Sequence, residues 1–425
     1  MSLIIDRIEA IRVWDSRGFP TIETTVYLKN SRAFGTAIAP SGASKGRYEV
    51  VEKRDKNSFI INDVLTPIRI INKDINKYFA GRKIIDQLDF DNQLIELDGT
   101  SDKSNFGSNT FVSTSMAFAH ACANLQNEPL WKYLSIKDEL QLPLPEIQIF
   151  GGGAHASKAI DIQDFMIIPI GAKNYLESLE MTSLVYHAAG KILDGKGLRT
   201  GIADEGGYWP NFKSNEEGFE LLLQSIELAG FRPYDDIGIS VDIAASEFYE
   251  NKKYNLKKDN QNLNSEEYFE IIKNWIQKYP IVSIEDPFDE SDKSSFSRLH
   301  QMFGKKIQIV GDDLLVTNAN FIYEAKKLNL CNAVLIKPNQ IGTISETYKA
   351  VKAAKESNID QIISARSGET EDTTIMHIAV AWGIDQIKVG SFARSERMIK
   401  WNEGIRIGKA LNNYSLNQLK VLPWQ

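Results

Sequence analysis

Four short apolar runs, each closed by one charged residue, restrict this chain more than any other feature. Residues 237–241 (Ile-Gly-Ile-Ser-Val) are followed by Asp242, 281–284 by Glu285, 307–311 by Asp312 and 333–336 by Lys337. The closing residues lie 43, 27 and 25 positions apart (285 − 242, 312 − 285, 337 − 312), room each time for two loops and a helix. Near-continuous Ile and Val runs suit strands buried on both faces of a parallel sheet. If such units close into a barrel, the residue after each strand stands at the C-terminal mouth, where barrel enzymes keep their chemistry.

An acid directly after a strand is commonly no more than a helix N-cap. Three in successive units, followed by a lysine, point further. Carboxylates converging on one mouth raise one another's proton affinity unless a cation sits among them. No His or Cys closes any of the four strands, so the donors are hard oxygens and the cation they suit is Mg²⁺ rather than Zn²⁺.

At 425 residues the chain is too long for one ordinary domain, although a barrel alone takes up well over half of that. A net charge of −7 and a pI near 5.5 argue against nucleic acid or an anionic membrane as partner, so an anionic substrate needs a local cluster of cations. Cys122 and Cys331 sit in separate apolar segments and suggest neither a disulfide nor a zinc site. Asp6, Arg7, Glu9 and Arg12 interrupt the first residues, unlike a signal peptide, and no run approaches the ~20 apolar residues of a membrane span. The expected location is a reducing cytoplasm.

Residues 4–14, 21–28 and 34–39 read as strands, with a turn at Asp15-Ser16-Arg17-Gly18. The segment Ser41-Gly42-Ala43-Ser44-Lys45-Gly46 reads as a mobile surface loop, either simply flexible or able to cradle a phosphate with its N–H groups. Leu65, Ile68, Ile71, Ile75 and Phe79 recur at helical spacing, and the small residues of 111–125 predict a closely packed second helix. The expected boundary falls within 135–145, near Pro143 and Pro145, giving an α+β domain over 1–138 and a second domain over 139–425. That second domain opens with Gly151-Gly152-Gly153-Ala154-His155, then Gln163-Asp164. Beside a Gly triplet His155 is structural, or a group titrating near neutrality against a ligand. Asp204-Glu205-Gly206-Gly207 has the composition of a turn, yet Glu205 falls on the same expected mouth as the strand-closing acids.

Several longer motifs then resemble the signature segments of the enolase family. They are Ser41 to Gly46, Asp98-Gly99-Thr100, Asp204 to Gly207, Ser283 to Pro287, Gly311-Asp312-Asp313, Leu335 to Thr343, Arg366 to Thr373 and Gln386 to Ser391. They occur in order across residues 8–411. The resemblance implies an α/β fold, a modified eight-unit TIM-type barrel whose first units are not strictly parallel, preceded by an α+β capping domain. It also implies Mg²⁺-dependent loss of water from 2-phosphoglycerate to give phosphoenolpyruvate, with two Mg²⁺ per site and a homodimer or higher homo-oligomer. Matched position by position, Asp242, Glu285 and Asp312 correspond to metal ligands, Lys337 to the base at C2 and Glu205 to the acid at the C3 hydroxyl. Lys388 corresponds to the lysine on the substrate carboxylate, and Arg366 with Ser367 to the phosphate grip. Ser44 matches a mobile-loop ligand of the second Mg²⁺, and His155 a histidine of the closing site. Lys337 must be neutral to act, and burial beside Lys388 and the metal is expected to lower its pKa.

Departures from that pattern are equally specific. Ala365 stands where the family has His, and loss of such a group costs roughly 10²-fold in rate. Asp164 replaces a catalytic Glu, drawing a carboxylate back by about one C–C bond. Lys45 replaces Thr, Gly151 replaces Asn, and Lys409 lies where an acid often serves the dimer contact. Two substrate readings follow. One is 2-phosphoglycerate; the other is a different phospho- or phosphono-carboxylate, as for the similar carboxyphosphonoenolpyruvate synthase, with Lys45 as an added cation. A non-catalytic binding role ranks third, and the retained Arg366 and Ser367 argue against an acid-sugar dehydratase.

Overall fold

The computed structural model describes residues 3–56 and 58–417. It opens with an antiparallel meander of β1 (Leu3–Trp14), β2 (Pro20–Leu28) and β3 (Phe34–Ile38), edged by the short β4 (Lys83–Ile84). The helix Ser108–Leu125 lies across β2 and β3. Its small residues have a direct cause: a Cβ on Gly35 of β3 would fall 2.1 Å from the backbone N of Ala121, so strand and helix meet backbone to backbone. Thr24 Oγ1 and Ser113 Oγ share a hydrogen bond of 2.8 Å across that contact. The amphipathic segment expected over residues 65–79 forms helix over Leu65–Arg69 and Asn76–Phe79, joined through one wider turn at Ile70–Ile75.

Then β5 (Leu144–Gly151) and β6 (Asp164–Ile168) enter as an antiparallel pair, and a hairpin of β7 (Arg199–Ile202) and β8 (Tyr208–Pro210) attaches to β5. The strand β9 (Gly238–Asp242) pairs antiparallel with β6. A small three-stranded sheet follows, β10 (Tyr249–Glu250), β11 (Lys253–Leu256) and β12 (Gln261–Leu263). From β9 onward the barrel is parallel, through β13 (Ile281–Glu285), β14 (Gln308–Gly311), β15 (Ala333–Ile336), β16 (Asp360–Ser364) and β17 (Gln386–Ser391). Pairing of β17 with β5 closes the ring.

Every residue of β9 and of β13 through β17 is buried, which is why β9, β13, β14 and β15 read as near-continuous apolar runs rather than alternation. The helices between them carry local start signals. At Ser265–Lys278, Asn264 accepts from the backbone N–H groups of Glu266 and Glu267, and Glu267 returns a bond to the Asn264 N–H, a reciprocal cap that spares the first turn its unpaired donors.

The N-terminal meander reaches the barrel mouth through its turns. Ser16 N–H donates to Glu369 O at 2.8 Å, and Ser41 exchanges two backbone bonds of 2.8 Å with Gly368. Those contacts bring the segment 41–46 over the loops that follow β14 and β16. Among the described residues no helix is long and apolar enough to cross a membrane.

Candidate active site

Parallel register decides which charged ends become neighbours. Asp242 and Glu285 are directly paired across β9 and β13, and Lys388 of β17 arrives from the far side of the ring. Its Nζ spans the two acids, 2.8 Å from Asp242 Oδ2 and 2.7 Å from Glu285 Oε2, with Asp164 Oδ2 at 3.8 Å. Burial works against the Lys388 charge, but Asp242, Glu285 and Asp164 outweigh it and hold the pKa well above its ordinary range. Glu285 is pushed up by burial and then by Asp242, and its Oε1 is enclosed without a partner. Gln163 Nε2 donates to Asp242 Oδ2 at 3.1 Å.

Asp312 lies on the same mouth but turns to Lys337 Nζ, while its Oδ1 accepts from Gln340 Nε2 at 2.8 Å. The three acids therefore share a mouth without being drawn into one set: two hold Lys388 and the third holds Lys337. The sequence-based expectation for Lys337 is corrected here. Burial lowers its pKa, as do Arg366 and Lys388, but the touching Asp312 carboxylate more than offsets them and raises it. Asp286 completes this corner, its two oxygens accepting from the N–H groups of Asp312 at 3.0 Å and Asp313 at 2.7 Å.

A second group forms around His155, which sits in a tight turn (Gly153–Ala156) between β5 and β6. Its Nδ1 is 3.0 Å from Asp164 Oδ1 and its Nε2 is 3.8 Å from Glu205 Oε1. Burial pushes His155 towards the neutral form, yet Asp164 and then Glu205 overcome it and lift its pKa to about 9. Burial raises Asp164 as well, but His155 and Lys388 prevail and keep it below the usual carboxylate range. Glu205 goes the other way: burial dominates and holds its carboxyl towards the protonated form. One neighbour is thus a firm anion and the other a carboxyl able to carry a proton. Gln148 of β5 donates through Nε2 to Asp164 Oδ1 and accepts the Gly207 N–H at 2.8 Å.

Arg366 follows β16, is 4% exposed, and makes a fork of contacts. It donates to Glu49 Oε1 and Oε2, both at 3.2 Å, to Asn339 Oδ1 at 3.1 Å and to the Ser44 carbonyl at 2.9 Å. Ser367 Oγ accepts the Ala43 N–H at 2.7 Å. The segment 41–46, expected as a mobile loop, is thus tied to the barrel. A Cβ on Gly42 would fall 2.1 Å from Arg366 Nη2, so a larger residue would push the guanidinium out of this position. Lys45 makes an ion pair of 2.7 Å with Glu52. Ala365 is buried, and its N–H donates to Lys388 O at 2.8 Å.

Sequence reasoning missed Glu49, Asn339 and Gln340 as partners of the charged groups, and Gln148 and Gln163 as partners of the acids. For Gln148 a signal existed: Glu146 and Gln148 are the polar pair, two residues apart, in an otherwise apolar strand, and so share the face that looks into the barrel. Lys409, expected to weaken a dimer contact, is exposed near the end of the helix Ser395–Leu411.

Comparison with known proteins gives one family over nearly the whole chain. The family model described as enolase, N-terminal domain, matches residues 5–134, and that described as enolase, C-terminal TIM barrel domain, matches residues 139–418. The chain is 45% identical over 413 residues to a protein named enolase from Ehrlichia canis (strain Jake), covering 97% of each chain. It is 46% identical to enolase 1 of Desulfitobacterium hafniense (strain Y51), over 96% of this chain and 94% of that one. To the enolase of Ehrlichia ruminantium (strain Welgevonden) it is 44% identical over 97% and 98%.

Proposed function

The chain belongs to the enolase family, and we propose that it is a hydro-lyase that removes water from 2-phosphoglycerate to give phosphoenolpyruvate. The observation that carries this reading is the mouth itself. Two buried lysines stand among acids that close successive strands, and a buried arginine and serine hold a loop over them.

The residues present fit Mg²⁺. Their donors are carboxylate oxygens only, and Glu285 keeps an enclosed oxygen with no partner, an arrangement a hard cation would relieve. Asp242, Glu285 and Asp312 would hold it, and Ser44 would serve a second ion. Bound there, Mg²⁺ supplies positive charge against the second negative charge that a carboxylate acquires when its neighbouring carbon loses a proton.

Lys337 takes that proton from C2. It acts only in the neutral form; burial, Arg366 and Lys388 favour that form and Asp312 opposes it. Lys388 holds the substrate carboxylate where charge develops. Glu205, its carboxyl pushed towards the protonated form by burial, donates to the departing C3 hydroxyl so that it leaves as water, and His155 with Asp164 fixes that carboxyl's surroundings. Arg366 and Ser367 grip the phosphate, for which a guanidinium fork is the apt donor. The protein is read as cytoplasmic and as a homodimer or higher homo-oligomer. The alternative phosphono-carboxylate reading loses its added cation, because Lys45 is paired with Glu52.

Absorbance of phosphoenolpyruvate formed from 2-phosphoglycerate and Mg²⁺ tests the proposal in wild type, Lys337→Ala and Ala365→His. Wild-type turnover that falls by roughly 10⁴-fold in Lys337→Ala supports it. No wild-type turnover overturns 2-phosphoglycerate as substrate, and a gain in Ala365→His would then mean a competent frame suited to another phospho-carboxylate.

A further inference from the structure

No step above uses Gln148, although it is enclosed in the barrel lumen and touches both carboxyl groups' supports. Its Nε2 donates to Asp164 Oδ1, the same oxygen that His155 Nδ1 meets at 3.0 Å. Its Oε1 accepts at 2.8 Å from the N–H of Gly207, in the turn that carries Glu205. The space for this amide is shaped by glycines on both sides. A Cβ on Gly207 would lie 2.4 Å from Gln148 Oε1; one on Gly151 would lie 3.4 Å from Nε2 and 2.4 Å from Ala203 Cβ.

A carboxamide has one donating and one accepting end. Here the donor faces a carboxylate and the acceptor faces a backbone N–H, so only one orientation satisfies both. With Oδ1 taken by Gln148 and His155, Asp164 Oδ2 is left without a hydrogen bond, buried, 3.8 Å from Lys388 Nζ. Rotating the carboxylate would exchange those roles.

We propose that Gln148 is a positioning residue: its amide fixes which Asp164 oxygen faces Lys388 and, through Gly207, holds the Glu205 turn on the opposite side of His155. The role rests on the dehydration reading of the site. It makes β5 a strut between a carboxylate that opens β6 and another carried in the turn between β7 and β8.

Gln148→Glu and Gln148→Met test it. A protonated glutamic acid reproduces both bonds, its O–H donating to Asp164 and its carbonyl accepting from Gly207. An ionised one has no donor and sets a like charge against Asp164. Methionine offers neither end at similar volume. At pH 8 both variants are expected to lose roughly 10–100-fold in kcat with KM little changed, the scale of a small misplacement. Going down to pH 6, the kcat of Gln148→Glu relative to wild type should recover about tenfold while that of Gln148→Met stays flat, because burial beside Asp164 raises the new carboxyl's pKa. A merely space-filling role would not separate the two variants by pH. Wild-type kcat in both, or a Glu-to-wild-type ratio independent of pH, overturns the proposal. Amide exchange over residues 204–207 is read in parallel and needs no turnover. Faster exchange in Gln148→Met at unchanged overall stability supports the strut, and unchanged exchange refutes it, even if wild type fails to dehydrate 2-phosphoglycerate.

Discussion

Replacing Asp164 by Asn tests the electrostatics of the histidine group at its strongest contact. Burial alone would keep His155 neutral; Asp164 and Glu205 lift its pKa to about 9. The Asp164 oxygen lies 3.0 Å from Nδ1, and a unit charge at that distance contributes 332/(20 × 3.0), about 5.5 kcal/mol at an effective dielectric constant of 20, or about 4 pH units of midpoint. The net rise is smaller, about 2.5 (9 − 6.5), because burial opposes it. Removing the carboxylate leaves that opposition against Glu205 and the weaker pull of Asp242, so His155 should drop below its ordinary 6.5. Asparagine keeps an Oδ1 for Gln148 and nearly the same volume, so packing survives. The assay is a pH titration of histidine Cε1 signals in ¹³C-labelled protein. The chain has five histidines, and the signal lost in His155→Gln identifies the right one. Wild type should titrate near 9 and Asp164→Asn below 6.5. A variant midpoint still near 9 would refute the assignment of the shift to this pair.

Three further perturbations address the metal acids, the phosphate grip and the packing behind them. Glu285→Gln should weaken Mg²⁺ binding by more than about 100-fold in titration calorimetry, beyond the 10–100-fold typical of groups that only support a ligand; unchanged affinity would remove Glu285 from the metal set. Arg366→Lys keeps a charge but loses the fork to Glu49, Asn339 and Ser44, and KM for 2-phosphoglycerate should rise roughly 10–100-fold, the equivalent of one or two charged hydrogen bonds. Gly218→Ala and Gly195→Ala should move stability in opposite directions in urea denaturation. Both glycines are helical, but a Cβ at 218 would lie 2.3 Å from Phe165 Cζ whereas one at 195 meets nothing within 4 Å. Overpacking costs about 1–3 kcal/mol and exceeds the helix-propensity gain of at most ~1 kcal/mol, so only Gly195→Ala should stabilise.

The barrel was legible because its parallel strands are covered on both faces. Four of them, β9 and β13 through β15, are near-continuous apolar runs, and the charged residue that closes each is the one that reaches the mouth, as with Asp242, Glu285, Asp312 and Lys337. Which charges touch was not legible. Lys388 lies 146 positions from Asp242, and nothing local to either says that ring closure sets its Nζ between Asp242 and Glu285. The expected fall in the Lys337 pKa fails for the same reason. Sequence showed that lysines and acids share a mouth, but the sign depends on the one contact with Asp312. The segment 41–46 reads as mobile from its glycines alone, yet Gly42 is there to let Arg366 pass.

The absence of a polar group at Ala365 is best weighed against what surrounds it. Its backbone is bonded to Lys388, the next residue carries the guanidinium that holds Ser44, and Ser367 holds Ala43. The frame that sets the carboxylate lysine and the phosphate grip therefore passes through this position by its main chain, without needing a side chain there. Asp164, the other departure, is steadied by Gln148 and His155 together, so a shorter acid still has a fixed orientation. One change thus removes a group from an intact frame and the other is supported by neighbours, while Lys337, Lys388, Glu205 and the strand-closing acids keep mutual contacts. Decay of function would loosen the most costly arrangement first, and buried charges without partners are the most costly arrangement here. Their ordered pairing is the physical argument that the site is kept for chemistry.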